Sequence, residues 1–201
     1  MTRTIAIAAL ATAALAAAGC GSDGSPEDQI RSTFTQATSA LKDGKGAEFC
    51  DALTPTTAKS IAESGKQTTG ASDCPKVVDN LLAAAQALRT QDWPKFCDSI
   101  GKQSADQIAA SGKALKAKGN TCADAAEAIG KTPQGKQVFT ATADQLDSAL
   151  NRLVKGKLDK ITINGDKATA TVTPKQPNDQ PVTFEKVDGS WRIATNATTG
   201  Q

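Results

Sequence analysis

The chain has 201 residues, with 23 Lys and Arg against 21 Asp and Glu, and it contains neither His nor Tyr. A formal charge of +2 and few aromatic residues argue against a basic surface that stacks bases, so nucleic acid is not an expected partner. The lack of His excludes Ser-His and Cys-His nucleophile pairs, His-based zinc sites and a His proton shuttle. No cofactor is expected.

Residues 1–19 have the pattern of an export signal. Arg3 precedes an uncharged run over 5–19, which is shorter than the roughly 20 residues of a membrane-spanning helix. The run ends in Gly19-Cys20 and resembles a bacterial lipoprotein signal, in which the cysteine receives diacylglycerol and fatty acids such as palmitate.

A secretory signal cut after an Ala-x-Ala site is the alternative, because Ala17 stands where lipoprotein signals usually carry Leu. Lipidation of Cys20 is favoured, since the polar residues 21–25 follow it as a flexible tether. We therefore predict an extracytoplasmic protein anchored through lipid to the outer face of the cell membrane.

Two segments, 30–66 and 77–113, share 12 of 37 residues in an ungapped alignment. The matches include Phe-Cys-Asp and Ser-Gly-Lys blocks, which the Ala-rich composition cannot produce, and they indicate a duplicated helical unit. The predicted organisation is a signal peptide (1–19), a tether (20–25), a first helical repeat (26–75), and a second helical repeat with a sheet (76–201). Residues 26–201 can also form one compact domain.

Matching apolar stripes predict that the first helix of each repeat buries the same face. The stripes are Ile30, Phe34, Ala37 and Leu41 in one copy and Val77, Leu81, Ala84 and Leu88 in the other. Helix starts are predicted at Ser25-Pro26, Thr54-Pro55, Asp73, Ser104 and Thr121.

Both Ser-Gly-Lys blocks, 64–66 and 111–113, are interpreted as helix C-termini, because Gly and Lys favour the last turn. A last helix is predicted over 138–154, and Gly156 ends it. Its apolar side carries Leu146, Ala149, Leu150 and Leu153.

Four cysteines besides Cys20 stand at 50, 74, 97 and 122. A zinc site of four thiolates is the alternative to disulfides, but no C-x2-C pair is present to form half of such a site. Export and repetition favour two disulfides. The repeat selects Cys50 with Cys74 and Cys97 with Cys122, because each unit then closes on itself.

After Gly156 the hydrophobic period changes from 3.6 to 2, which predicts four antiparallel strands in two hairpins. The predicted turns are Asn164-Gly165 and Asp188-Gly189. The second turn pairs Phe184 with Ile193 and Lys186 with Trp191. The fold class is α+β: a duplicated disulfide-bonded helical unit, then a four-stranded antiparallel sheet.

The strand sequences 165–172 (GDKATATV) and 187–193 (VDGSWRI), preceded by cysteine-bearing helices, resemble the nuclear transport factor 2-like superfamily. In particular, they look like its secreted, lipid-anchored bacterial members, many from actinobacteria. The resemblance implies a cone-like fold whose sheet and helices enclose a pocket.

The function predicted is a non-catalytic, lipid-anchored binding or accessory domain of the cell envelope. Its expected partners are the membrane, and either a small apolar ligand or an envelope protein. The apolar face of the sheet is the predicted pocket lining: Ile161, Ile163, Ala168, Ala170, Val172, Phe184 and Ile193.

The alternative is an isomerase-like or dehydratase-like enzyme of the same superfamily that uses carboxylates. Asp51 and Asp98, beside the repeated cysteines, are the best carboxylate pair for such chemistry. We interpret both as capping or solvated residues, and no metal site is predicted.

Overall fold

A computed structural model describes residues 24–115, 117–174 and 180–194. Within them the chain forms eight helices followed by four strands, which confirms the predicted α+β class. The helices are α1 (Pro26–Lys42), α2 (Gly46–Asp51), α3 (Pro55–Thr69), α4 (Cys74–Thr90), α5 (Trp93–Ser99), α6 (Lys102–Ala114), α7 (Cys122–Gly130) and α8 (Pro133–Lys155).

The strands form one antiparallel meander in the order β1-β2-β3-β4. They are β1 (Lys157–Asn164), β2 (Lys167–Thr173), β3 (Val182–Val187) and β4 (Ser190–Ala194). The pairings of Phe184 with Ile193 and of Lys186 with Trp191 are present as predicted.

The duplication is visible in the order of the helices, because α1-α2-α3 is followed by α4-α5-α6 with similar lengths. α7 begins at Cys122, as α4 begins at Cys74, and so occupies the start of a third unit. The two predicted disulfides, Cys50–Cys74 and Cys97–Cys122, are present. Each ties the short helix of one unit to the first residue of the helix that opens the next.

The core of the sheet lies under α1. Ile30 and Phe34 of α1 pack against the apolar face of the sheet, where Phe184 is fully buried. Arg31 donates a hydrogen bond to the carbonyl of Leu158 at 2.6 Å, and Thr33 donates one to the carbonyl of Trp191 at 3.1 Å. α1 is thereby hydrogen-bonded to both outer strands.

The first unit also joins the edge of the sheet. The N–H of Ile193 donates to the carbonyl of Ala52, and the N–H of Thr54 donates to the carbonyl of Ile193, both at 2.8 Å. The segment 52–54 between α2 and α3 therefore extends the sheet beyond β4. In the second unit the matching position, Gly101, donates instead to the carbonyl of Thr68 in α3, at 2.7 Å.

Local sequence signals place most helix starts correctly. The side chains of Ser25, Thr54, Asp73 and Thr121 each accept a hydrogen bond from a backbone N–H in the first turn. The predicted start at Ser104 is wrong, because α6 begins at Lys102 without a side-chain cap.

The last helix begins five residues earlier than predicted, at Pro133, since Thr132 caps it by accepting from the N–H of Gly135. The side chains of Ala149 and Leu150, which we placed on its apolar side, lie outside the described part of the structure.

The Ser-Gly-Lys blocks are not helix ends in both copies. α3 continues to Thr69, so Ser64 and Gly65 lie inside the helix and only Lys66 reaches its last turn, whereas the block at 111–113 lies in the last turn of α6. The second stripe also departs from its prediction at Leu81, which is 36% exposed although Val77 is buried.

The sheet differs from its prediction at two places. The first hairpin turns at Gly165-Asp166, one residue later than predicted, because Asn164 pairs with Lys167. β1 begins at Lys157, and a bulge between Asp159 and Thr162 changes its register.

Candidate ligand-binding sites

An apolar cavity of about 370 Å³ lies between the first helical unit and the end of β4. This volume falls in the range of small-molecule sites, which is about 300–1,000 Å³. The lining residues come from four helices, the segment 52–54, β3 with the residues before it, and β4. They are Phe34, Ala37, Thr38, Leu41, Phe49, Leu53, Thr57, Ile61, Leu153, Gln180, Pro181, Val182, Ile193 and Ala194.

The threonine hydroxyls in this wall have partners within the protein. Thr38 donates to the carbonyl of Thr35 at 3.1 Å, and Thr57 accepts from the hydroxyl of Thr54 at 2.8 Å. Among the described residues of the lining, Gln180 is the remaining polar side chain, and it is exposed. The cavity therefore offers a hydrocarbon surface with its polar group at the exposed side.

Of the seven residues predicted to line a pocket, Ile193 lines this cavity. Ala168, Ala170, Val172 and Phe184 are buried in the core beneath α1, and Ile161 packs against the same cluster. Ile163 is 39% exposed near the end of the edge strand β1. The apolar face of the sheet is filled by helix side chains over most of its area, and a hollow remains beside β4.

Most of the cavity wall was not predicted from the sequence. Phe49, Leu53 and Ile61 belong to the first helical unit, and each packs against the cluster that contains the Cys50–Cys74 disulfide or belongs to it. Their repeat counterparts Phe96, Ile100 and Ile108 were visible in the alignment, but the alignment carries no signal that only one copy meets the sheet.

A second hollow, which we call the polar cleft, has a volume of about 340 Å³. It lies between α1, α2 and the turn into β4. Its lining is polar or charged apart from Ala52, Gly189 and Trp191: Gln29, Ser32, Thr33, Gln36, Glu48, Asp51, Ala52, Gly189, Ser190, Trp191 and Arg192.

The charges of the polar cleft are unevenly compensated. Lys45 pairs with Glu48 at 2.9 Å, and the hydrogen bond and charge of Glu48 raise the pKa of Lys45 above its ordinary value of 10.5. Arg192 donates a hydrogen bond to the backbone carbonyl of Asp51. Among the described residues, the buried Nε of Arg192 and the indole Nε1 of Trp191 have no hydrogen-bond partner.

The two predicted carboxylates occupy equivalent places in the repeats but different surroundings. Asp51 ends α2 and lines the polar cleft, while Asp98 lies in α5, and both side chains are exposed. Neither is the N-cap of a helix, so solvation is the part of our interpretation that fits their positions.

Cys20 lies outside the described residues. Within the described residues, no helix is long and apolar enough to cross a membrane. The same residues contain no group of three or more His, Cys, Asp or Glu side chains placed to hold a metal ion. The two disulfides indicate an oxidising, extracytoplasmic environment.

Comparison of the chain with protein-family models, with curated proteins and with solved structures finds no match.

Proposed function

We propose that the protein is a non-catalytic binding module of the cell envelope, anchored by lipid at Cys20, that takes a small apolar ligand into the apolar cavity. The cavity between α1, α3 and β4 is the observation that carries the proposal. The resemblance to nuclear transport factor 2-like proteins belongs to the same proposal, since that superfamily encloses its pocket between helices and an antiparallel sheet.

The composition of the wall supports an apolar ligand over a polar one. A polar group placed deep in the cavity would lose its hydrogen bonds to water and find threonine hydroxyls that already have partners. Such a loss costs roughly 1–3 kcal/mol per group in proteins. A hydrocarbon group loses nothing comparable and gains about 0.8 kcal/mol for each CH₂ that it buries.

The proposal is tested with the neutral fluorescent probe N-phenyl-1-naphthylamine. We expect saturable binding to the purified protein with a rise in fluorescence, because the probe leaves water for an apolar wall. The substitution Ile61→Glu places a carboxylate in that wall and is expected to weaken binding about tenfold or more.

The repeat provides the matched control, since Ile108 holds the position of Ile61 in the second unit and is likewise half-buried. Ile108→Glu should bind the probe as the unmodified protein does. Leu153→Glu, at a wall residue that is already 38% exposed, gives a second test at lower risk to folding. Equal binding by all three variants, each folded by circular dichroism, would remove the cavity as the site.

A further inference from the structure

The polar cleft holds two opposite charges that do not neutralise each other. Within the described residues, the carboxylate of Asp51 has no hydrogen bond or ion pair. The guanidinium of Arg192 contacts the backbone carbonyl of Asp51 and has no ion pair in that same part of the chain. Both residues line one hollow of about 340 Å³.

The strand pairing places an acidic residue opposite Arg192, but that residue does not form an ion pair with it. Glu185 lies directly opposite Arg192 on β3, yet its carboxylate pairs with Lys167 at 3.6 Å. Arg192 is half-buried and carries five N–H donors in a fixed fork. Within the described residues its buried Nε has no partner, so this part of the chain does not saturate the fork, and buried donors are rarely left so.

The other carboxylate of the polar cleft does not alter this balance. Glu48 is paired with Lys45, so its charge is already compensated. The remaining lining includes the exposed side chains of Ser32, Gln36 and Ser190, which can donate and accept hydrogen bonds. Among the described residues, the cleft thus presents one cation and one anion that lack an ion pair, together with neutral polar groups.

We infer that the polar cleft binds a small zwitterion of the α-amino acid type, with its carboxylate at Arg192 and its ammonium group at Asp51. A bound carboxylate forms charge-assisted hydrogen bonds with a guanidinium, which are roughly twice as strong as neutral ones. The ammonium group neutralises Asp51 in the same event. A ligand with a single charge satisfies half of this arrangement and leaves the other half unpaired. The site is separate from the apolar cavity and does not depend on the function proposed for it.

The two tryptophans provide the readout. Trp191 lines the polar cleft, whereas Trp93 packs against Phe139 at a ring separation of 5.0 Å. In a ¹⁵N-labelled sample each gives one indole N–H signal, and Trp93→Phe assigns them. Titration with the standard L-amino acids to millimolar concentration should shift the Trp191 signal in a saturable way and leave the Trp93 signal unchanged.

Acetate and methylammonium serve as probes that carry one charge each. We expect both to bind about tenfold or more weakly than the best amino acid, and Asp51→Asn and Arg192→Gln to weaken amino-acid binding about tenfold or more. Asp98→Asn is the matched control, because Asp98 occupies the place of Asp51 in the second repeat, and it should change nothing.

Two outcomes overturn the inference. Failure of all the amino acids to move the Trp191 signal removes the site. Acetate binding as tightly as the amino acids, with no effect of Asp51→Asn, makes the cleft a simple anion site.

Discussion

At the scale of single residues, the repeated glycines are contact points between helices. A Cβ built at Gly65 would lie 2.2 Å from a methyl carbon of Val77, and one built at Gly112 would lie 2.3 Å from the Cβ of Ala125. Each glycine lets the inner helix of its unit approach the helix that opens the next. The glycine of each Ser-Gly-Lys block therefore allows close packing, of α3 on α4 in the first unit and of α6 on α7 in the second.

The substitution Gly65→Ala has two opposing effects on stability, a gain in helix propensity and a steric overlap with Val77. Ala favours a helix interior over Gly by about 1 kcal/mol, which would stabilise the protein if the site were open. The methyl group instead overlaps the buried Val77 side chain, and overpacking of this kind costs typically about 1–3 kcal/mol. We expect a net loss in the free energy of unfolding, measured by denaturant titration.

Ser64→Ala, at an exposed neighbour in the same helix, is the control for helix propensity and should leave stability nearly unchanged or slightly raised. If Gly65→Ala were as stable as Ser64→Ala, the contact between α3 and α4 would be looser than described.

At the scale of elements, the two disulfides close loops of nearly equal length, with separations of 24 and 25 residues. The chain-entropy account assigns each roughly 3 kcal/mol, so length does not distinguish them. Their surroundings do. Cys50 and Cys74 are buried in the cluster with Leu53, and α2 leads directly into the segment 52–54 that extends the sheet.

Removal of each disulfide as a pair of alanines should therefore have different local effects. In the double variant Cys50→Ala/Cys74→Ala, α2 loses its covalent tie to α4. We therefore expect the amide of Ile193 to lose more of its protection against exchange than the amide of the core residue Phe184 does. In Cys97→Ala with Cys122→Ala, the two amides should lose protection together as global stability falls. Hydrogen exchange followed by NMR measures both, and a parallel loss in both variants would contradict the link between α2 and β4.

The elements also show what the sequence could predict. The caps at Thr54, Asp73 and Thr121 were predicted because a capping side chain acts within three residues of its own position. The disulfide pairing followed from the repeat. The start at Lys102 was missed because Gly101 has no side chain with which to cap.

The apolar cavity lay beyond sequence reasoning for a different reason. Its wall joins residues as distant as Phe34 and Ile193, and an alternating strand pattern shows which face is apolar without showing what covers it. The relation to nuclear transport factor 2-like proteins and the cone-like shape stay predictions.

At the scale of the whole molecule, the sheet stands where a preceding repeat would stand. The segment 52–54 docks on β4, while Gly101 of the second unit docks on α3 of the first. Stacked repeats bury their faces against their neighbours and need a different element at each end. The sheet serves this purpose for the first unit.

The predicted lipid anchor at Cys20 determines where the whole molecule is held in the cell. We expect mass spectrometry of the mature protein to find Cys20 as the N-terminal residue, carrying diacylglycerol and a further acyl chain, because one chain alone binds a membrane only marginally. Globomycin, which blocks lipoprotein signal peptidase, should cause the precursor to accumulate. An unmodified Ala or Gly at the N-terminus, formed equally well in the presence of the drug, would establish a secreted protein instead.

The two disulfides follow one another along the chain without overlapping, and this order has a consequence for biogenesis. An exported chain crosses the membrane from its N-terminus, so Cys74 reaches the oxidising side before Cys97 does, and Cys50 meets its native partner first. The second pair then forms after the first has been consumed. Provided that Cys20 is acylated, oxidation in order of emergence yields both native bridges without thiol–disulfide exchange between mispaired cysteines, so we expect maturation of this protein to need an oxidant and no isomerase.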